Sequence, residues 1–227
     1  MVDIQLPVIA LNFKTYSQAT GEKAVLLAKA CEKVAKEHNV SVVVAPQIAD
    51  IYRVSQAVDI PVFSQHLDAG DPGRFTGHAL GETLVANGAV GTLLNHSENR
   101  MQLADIEASV RKAEKLDLYT IVCTNNPIVS VAAAGLNPSA VAVEPPELIG
   151  TGISVSQTQP EVITDSVDLI RAVNQDVAIL CGAGIGTGTD VETAIKLGSQ
   201  GVLLASAVAK AQNPEEVLRG LVEPISK

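Results

Sequence analysis

Tryptophan is missing from this 227-residue chain, and phenylalanine and tyrosine supply only three residues each. Cysteine is just as scarce: Cys31, Cys123 and Cys181 are odd in number and widely spaced. Neither a disulfide framework nor a zinc-ligand spacing fits them, and three buried free thiols are expected. No apolar run reaches the ~18–20 residues of a membrane span, so the protein is expected to be soluble. The start, Met1 to Gln5, lacks a basic stretch followed by an apolar one. No secretory signal is visible there, and a cytoplasmic location is the expectation. Lys and Arg form no block, and the net charge is −9. That disfavours nucleic acid and anionic membrane as partners, and any anionic ligand must be held by a local site.

What the chain does have is a repeated alternation of short β-branched apolar runs with amphipathic stretches. Hydrophobic residues make up 47% and charged residues 18%, enough apolar matter for a substantial core. Strands are expected at Pro7–Leu11, Val42–Ala45, Ile60–Ser64, Gly91–Asn95, Leu118–Cys123, from Ala140, at Val177–Cys181 and at Gly201–Ala205. Helices are expected between them. In the first, Gly21–His38, the residues Ala24, Leu27, Ala28, Cys31, Val34 and Ala35 fall on one face at the i, i+3, i+4, i+7 spacing. Further helices are read at Ile48–Ala57, Gly81–Asn87, Asp105–Leu116, Ile128–Ala134 and Pro160–Val173. Thr189 to Glu192 reads as a capping box opening the next one. Asn213-Pro214-Glu215-Glu216 opens the last, with cap, first-turn proline and acidic first turn in place. Continuous apolar strands joined by helices argue for a parallel sheet covered on both faces. Eight similar units over residues 1–227, with no linker, argue for a single-domain (β/α)₈ barrel.

In such a barrel the chemistry lies at the carboxyl ends of the strands. Asn12 and Lys14 follow the first strand, His96 the fourth and Glu144 the sixth. Glu144 is followed by Pro145 and Pro146, then Gly150-Thr151-Gly152, a loop stiff at one end and loose at the other. Read alone, this is either a base beneath a lid or a loop glutamate beside an ordinary turn. Lys14 is a cation at the barrel mouth or a solvated loop lysine. Of the four histidines, only His96 sits directly at a strand end; His38 closes a helix, and His66 and His78 lie in or near loops. Ser97-Glu98 looks like a helix start, whose N–H groups would keep the imidazole neutral. Gly182 to Gly188 is a glycine-rich turn without the dinucleotide fingerprint. With the small Ala205-Ser206-Ala207 after the eighth strand, it offers backbone N–H groups where this fold binds phosphate.

Asn12-x-Lys14, His96-Ser97-Glu98-x-Arg100, Glu144-Pro145 and Ile149-Gly150-Thr151-Gly152, in this order and on these strands, resemble the triosephosphate isomerase family. Phe75-Thr76-Gly77, in the long loop 65–78, is similar to that family's subunit-docking loop. The resemblance implies interconversion of dihydroxyacetone phosphate and glyceraldehyde 3-phosphate, without metal or organic cofactor. It implies Glu144 as base, His96 as neutral proton shuttle, Lys14 against the enediolate charge, Asn12 on substrate oxygen and Glu98 orienting Lys14 and His96. The phosphate would rest on backbone N–H groups of Ile149, Gly150, Gly184, Ala205 and Ser206. A homo-oligomer follows, a tetramer favoured over a dimer, with apolar helix faces near 128–134 and 187–197 pairing two dimers. Three positions depart from the common pattern: Glu147 for an aromatic residue, Cys181 for a tyrosine, and Ala205-Ser206 for paired glycines. These departures and the short length resemble the compact archaeal branch. Alternative readings are another phosphosugar isomerase or epimerase, or a non-catalytic barrel binding phosphometabolites.

Overall fold

The computed structural model describes residues 2–145, 148 and 154–226. Its strands are β1 (Val8–Asn12), β2 (Ser41–Ala45), β3 (Phe63–Ser64) and β4 (Gly91–Leu94), then β5 (Tyr119–Thr124), β6 (Ala140–Val143), β7 (Ala178–Gly182) and β8 (Gly201–Leu204). Between the early strands run helices α1 (Glu22–His38), α2 (Ile51–Ser55), α3 (Gly81–Ala86), α4 (Leu103–Lys115) and α5 (Pro127–Ala134). After β6 come α6 (Val155–Thr158) and α7 (Pro160–Val173), after β7 comes α8 (Gly188–Lys196), and after β8 come α9 (Ser206–Ala209) and α10 (Pro214–Val222).

All pairings between neighbouring strands are parallel, in the order β2-β1-β8-β7-β6-β5-β4-β3. The ring closes between its two ends through one bridge, Val44 to Val62, where the Val44 N–H donates to Pro61 O at 3.1 Å. This is the (β/α)₈ barrel expected from the alternating pattern.

Two interleaved sets of apolar side chains explain why the strands are apolar throughout. Along β1, Val8 and Ala10 join Val43, Phe63, Leu93, Ile121 and Leu203 in one cluster, while Ile9 and Leu11 join Leu27, Cys31 and Val34 of α1 in another. Because successive strand residues point to opposite faces, the first cluster fills the barrel and the second seals it to the helices. The interior is graded in size. Ala140, Ala142 and Ala178 contribute on one side, and the Phe63 ring lies over Gly91, where a Cβ would stand 2.5 Å from its Cζ.

Several local expectations shift. The strand expected at Ile60–Ser64 is ladder-paired only at Phe63–Ser64, because Pro61 has no N–H to give. No α-helix follows His96 directly; a turn intervenes and α4 starts at Leu103. The reason is Asn95, at φ 57°, whose side chain accepts from the Met101 N–H at 2.9 Å and donates to Cys123 O at 2.9 Å, folding the segment back. The capping box of α8 is Thr187 with Asp190, two residues before the expected Thr189 with Glu192. The Asp190 carboxylate is buried and turns back toward Thr187, while Thr189 and Glu192 are exposed.

Two glycines give opposite expectations. Gly201, at φ 154°, has the Val8 carbonyl oxygen 2.3 Å from the place of a Cβ, at the β1–β8 joint. Gly201→Ala should destabilise by about 3 kcal/mol or more. Gly220, inside α10 with nothing within 4 Å, should as alanine stabilise by about 0.5–1 kcal/mol. Urea midpoints of the two variants check both signs.

Candidate active site

At the carboxyl ends of the strands lies a cavity of about 200 Å³ lined by Asn12, Lys14, Tyr16, His96 and Glu144. The rest of its lining is Ala183–Gly186, from the turn after β7, and Leu203–Ala207, from the end of β8 onward. The residues singled out from the sequence therefore converge: Asn12, Lys14, His96, Glu144, Gly184, Ala205 and Ser206 share one pocket. Glu98 stands behind it and touches two members. Ile149 and Gly150 lie outside the described residues. His66 and His78 instead flank Asp68, and His38 meets Ser226.

Lys14 is set by a strained backbone. Its φ of 47° lies in the left-handed region that a side chain disfavours, at a cost of about 1–3 kcal/mol. Three contacts hold it there: its N–H donates to Asn12 Oδ1 at 2.8 Å, its carbonyl accepts from Gln65 Nε2 at 2.9 Å, and its Nζ meets Glu98 Oε1 at 2.7 Å. Asn12 is 4% exposed and spends its carbonyl oxygen on that contact, so the amide end is what it can offer a ligand.

His96 is buried, and its Nδ1 accepts from the Glu98 N–H at 3.1 Å. A lone pair is needed there, which assigns the proton of the neutral ring to Nε2. That Nε2 lies 3.9 Å from Glu144 Oε2, too far for a hydrogen bond and well within electrostatic reach.

Glu144 leaves β6 with its N–H donating to Thr124 O at 2.7 Å. The residue is 5% exposed, and Oε2 is buried without a hydrogen-bond partner. Burial raises the carboxyl pKa above the ordinary range, against the smaller opposing effects of His96, the Cys123 thiol, Lys14 and Arg100. Burial likewise holds Cys123 well up as a neutral thiol, reinforced by the Glu144 charge. A buried carboxylate with an unpaired oxygen is a stronger base than one exposed to water.

Sequence reasoning missed Tyr16, Gln65, Asn95 and Cys123, and read Gly182 only as part of the glycine-rich turn, not as the floor beneath Glu144. Cys123, one residue before the end of β5, and Gly182, the last residue of β7, lie on the two strands flanking β6, so inward alternation along β5 and β7 was the available signal for them. The other three had no local signal. Gly182 bears most directly on the base, because a Cβ there would lie 2.3 Å from Glu144 Cγ and 2.9 Å from its Cδ. Gly182→Ala should push the carboxylate aside while the barrel stays folded, and turnover should drop by about 10²-fold. Circular dichroism and a rate measurement on the same sample check this.

Against known proteins, the family described as Triosephosphate isomerase matches residues 7–221. A triosephosphate isomerase from Methanothermobacter thermautotrophicus is 53% identical over 219 residues, covering 96% of each chain. One from Methanosarcina barkeri is 53% identical over 220 residues, 97% of this chain and 99% of the relative. A third, from Methanosarcina acetivorans, is 51% identical over 216 residues, 95% of this chain and 97% of the relative. Agreement runs from the first strand to the last helix, and by it the chain belongs to the triosephosphate isomerase family.

Proposed function

We propose that Glu144 and His96 carry the reversible interconversion of dihydroxyacetone phosphate and D-glyceraldehyde 3-phosphate in this enzyme, working as one domain over residues 1–227. In this family acid–base roles are set by the environment of each group, and the division of labour follows from membership. Glu144 takes a proton from the ketose C1, and the electron pair moves into an enediolate. His96, holding its proton on Nε2, donates toward the oxygens and moves a proton between them. The proton on Glu144 returns to C2, giving the aldose. Lys14 offsets the charge developing on oxygen, and the Asn12 amide donates to the same region. Glu98 keeps Lys14 and His96 in place through its carboxylate and its N–H. The phosphate is held by backbone N–H groups of Gly184, Ala205 and Ser206, joined by Ile149 and Gly150. The observation that carries the reading is the unpaired, buried Glu144 Oε2 facing His96 Nε2 across the Lys14 pocket.

Glu144→Gln tests it in two ways. Turnover of glyceraldehyde 3-phosphate should fall by about 10²–10⁴-fold or more, and a near-normal rate removes Glu144 from the mechanism. Stability should move the other way. The pKa of Glu144 is raised by burial, so the folded state binds its proton more tightly than the unfolded chain. Keeping it ionised costs stability above the folded pKa and nothing below the unfolded value of about 4.3. The Tm of the variant should therefore exceed that of the parent at pH 7.5. The gap should close as the pH is lowered toward about 4.

Association through loop 65–78 is supported by how firmly that loop is presented. Asp68 accepts the Ala79 N–H at 2.6 Å and contacts His66 and His78, while Lys112 holds Asp71 at 2.8 Å. Phe75 then stands 43% exposed near its tip. A second apolar face lies on α5 and α7, with Ile128 70% and Val173 59% exposed. The partner face expected on α8 is not there, since no large exposed apolar side chain occurs in that helix. A tetramer built from loop-docked dimers pairing through α5 and α7 is the proposed state. Among the described residues no helix is long and apolar enough to cross a membrane. A cytoplasmic location is proposed from the metabolic substrate. Light scattering should give four chain masses for the parent and two for Ile128→Lys, with activity kept. A monomer mass for the parent refutes both associations.

A further inference from the structure

Asp190 is a buried carboxylate with no place in the proton transfers. Burial pushes its pKa up, but the N–H groups of Gly186 and Thr187 and the hydroxyls of Thr187 and Ser154 outweigh that and leave it below the usual carboxylate range. Its two oxygens face different elements. Oδ2 accepts the Gly186 N–H at 3.0 Å, the Thr187 N–H at 2.8 Å and the Thr187 hydroxyl at 2.8 Å. Oδ1 accepts Gln157 Nε2 of α6 at 2.6 Å. The main chain joins the same two pieces: Ser156 Oγ donates to Asp190 O at 3.1 Å, and the Val155 N–H donates to Ala183 O at 3.3 Å.

Capping α8 needs only the exchange between Thr187 and Asp190. The bonds to Gly186 and Gln157 go beyond a cap. Gly186 belongs to the cavity wall, and its turn is sharply bent, with Ala183 at φ 69° and Gly184 at φ 73°. An alanine held in that region relaxes unless neighbours hold it. We propose that Asp190 is a positioning residue for the phosphate half of the reaction: it locks the Ala183–Gly186 turn to α6 so that backbone donors stay aimed at the phosphate. This rests on the phosphate reading above. It leaves the base and the shuttle untouched, so its signature belongs in affinity and not chiefly in the rate at saturation.

Electrostatics gives a test by sign. Asp190 and the substrate phosphate are both anionic, so Asp190→Asn, by charge alone, strengthens phosphate binding. Loss of positioning weakens it, because an asparagine NH₂ cannot accept the bonds that one carboxylate oxygen now takes. The experiment compares KM and kcat for glyceraldehyde 3-phosphate, inhibition by inorganic phosphate, and the preference for glyceraldehyde 3-phosphate over phosphate-free glyceraldehyde. In Asp190→Asn, KM and the phosphate inhibition constant should each rise about tenfold, and the preference should shrink by a similar factor. Gln157→Leu, which spares the cap, should shift the same quantities in the same direction by about threefold.

Unchanged or tighter phosphate inhibition in Asp190→Asn, with only Tm lowered, reduces Asp190 to a helix cap and overturns the proposal. A fall confined to kcat overturns it as well. If Asp190→Asn does not fold, Gln157→Leu decides alone, and unchanged constants there refute the coupling. If the unmodified protein shows neither phosphate inhibition nor a preference for the phosphorylated substrate, the phosphate reading fails first and takes this one with it.

Discussion

Everything at the mouth of the barrel is arranged around the cost of keeping the Glu144 charge out of water. An isolated buried carboxylate is expensive, and the usual remedy is a close donor or a salt bridge. Here one oxygen has no partner, and the nearest ring nitrogen, His96 Nε2, stays 3.9 Å away. That choice keeps the base reactive, because a carboxylate satisfied by an arginine or by several N–H groups loses basicity. The stability sacrificed has to be supplied by the two apolar clusters that fill and surround the barrel. The paired interior of Phe63 against Gly91 and small alanines shows how fully that space is used.

The other side chains in the pocket are held by parts of the fold far apart in sequence. Lys14 is fixed by Asn12 from its own strand, Gln65 from the end of β3 and Glu98 from beyond β4. His96 is oriented by a backbone N–H from a turn that Asn95 folds back. Each contact is modest by itself, but together they keep a lysine in a backbone conformation it would otherwise leave. Strain retained at this one residue points to a demand on where its ammonium stands.

Much of this architecture can be read from the chain because its code is local. β-branched runs make strands, amphipathic spacing makes helices, and Asn213-Pro214 caps α10 as written. The candidate residues at strand ends were legible because the barrel fixes where strand ends go. Long-range partners were not. Nothing beside Gln65 tells that its amide reaches Lys14, and nothing beside Cys123 tells that its thiol meets Glu144. The turn after His96 looked helical since Ser97-Glu98 is a fair cap, and only the tertiary bonds of Asn95 prevent it. Thr189 likewise lost to Thr187 because Asp190 was drawn inward by Gln157, a partner thirty-three residues away.

The single bridge between Val44 and Val62 makes the barrel a ring with a seam. Around the ring, the joint between β6 and β7 lies diametrically opposite, and that is where Glu144 rests on Gly182. Gln65 is the clasp at the catalytic end of the seam, since its amide also donates to Ala45 O at 3.0 Å. Partial opening of the native fold should begin at this weakest ladder, because backbone hydrogen bonds are fewest there. Such breathing parts the strand bearing Lys14 from the strand bearing His96, while Glu144 rides near the hinge line. The costly charge thus sits at the joint farthest from the seam, where an opening of that seam would displace it least.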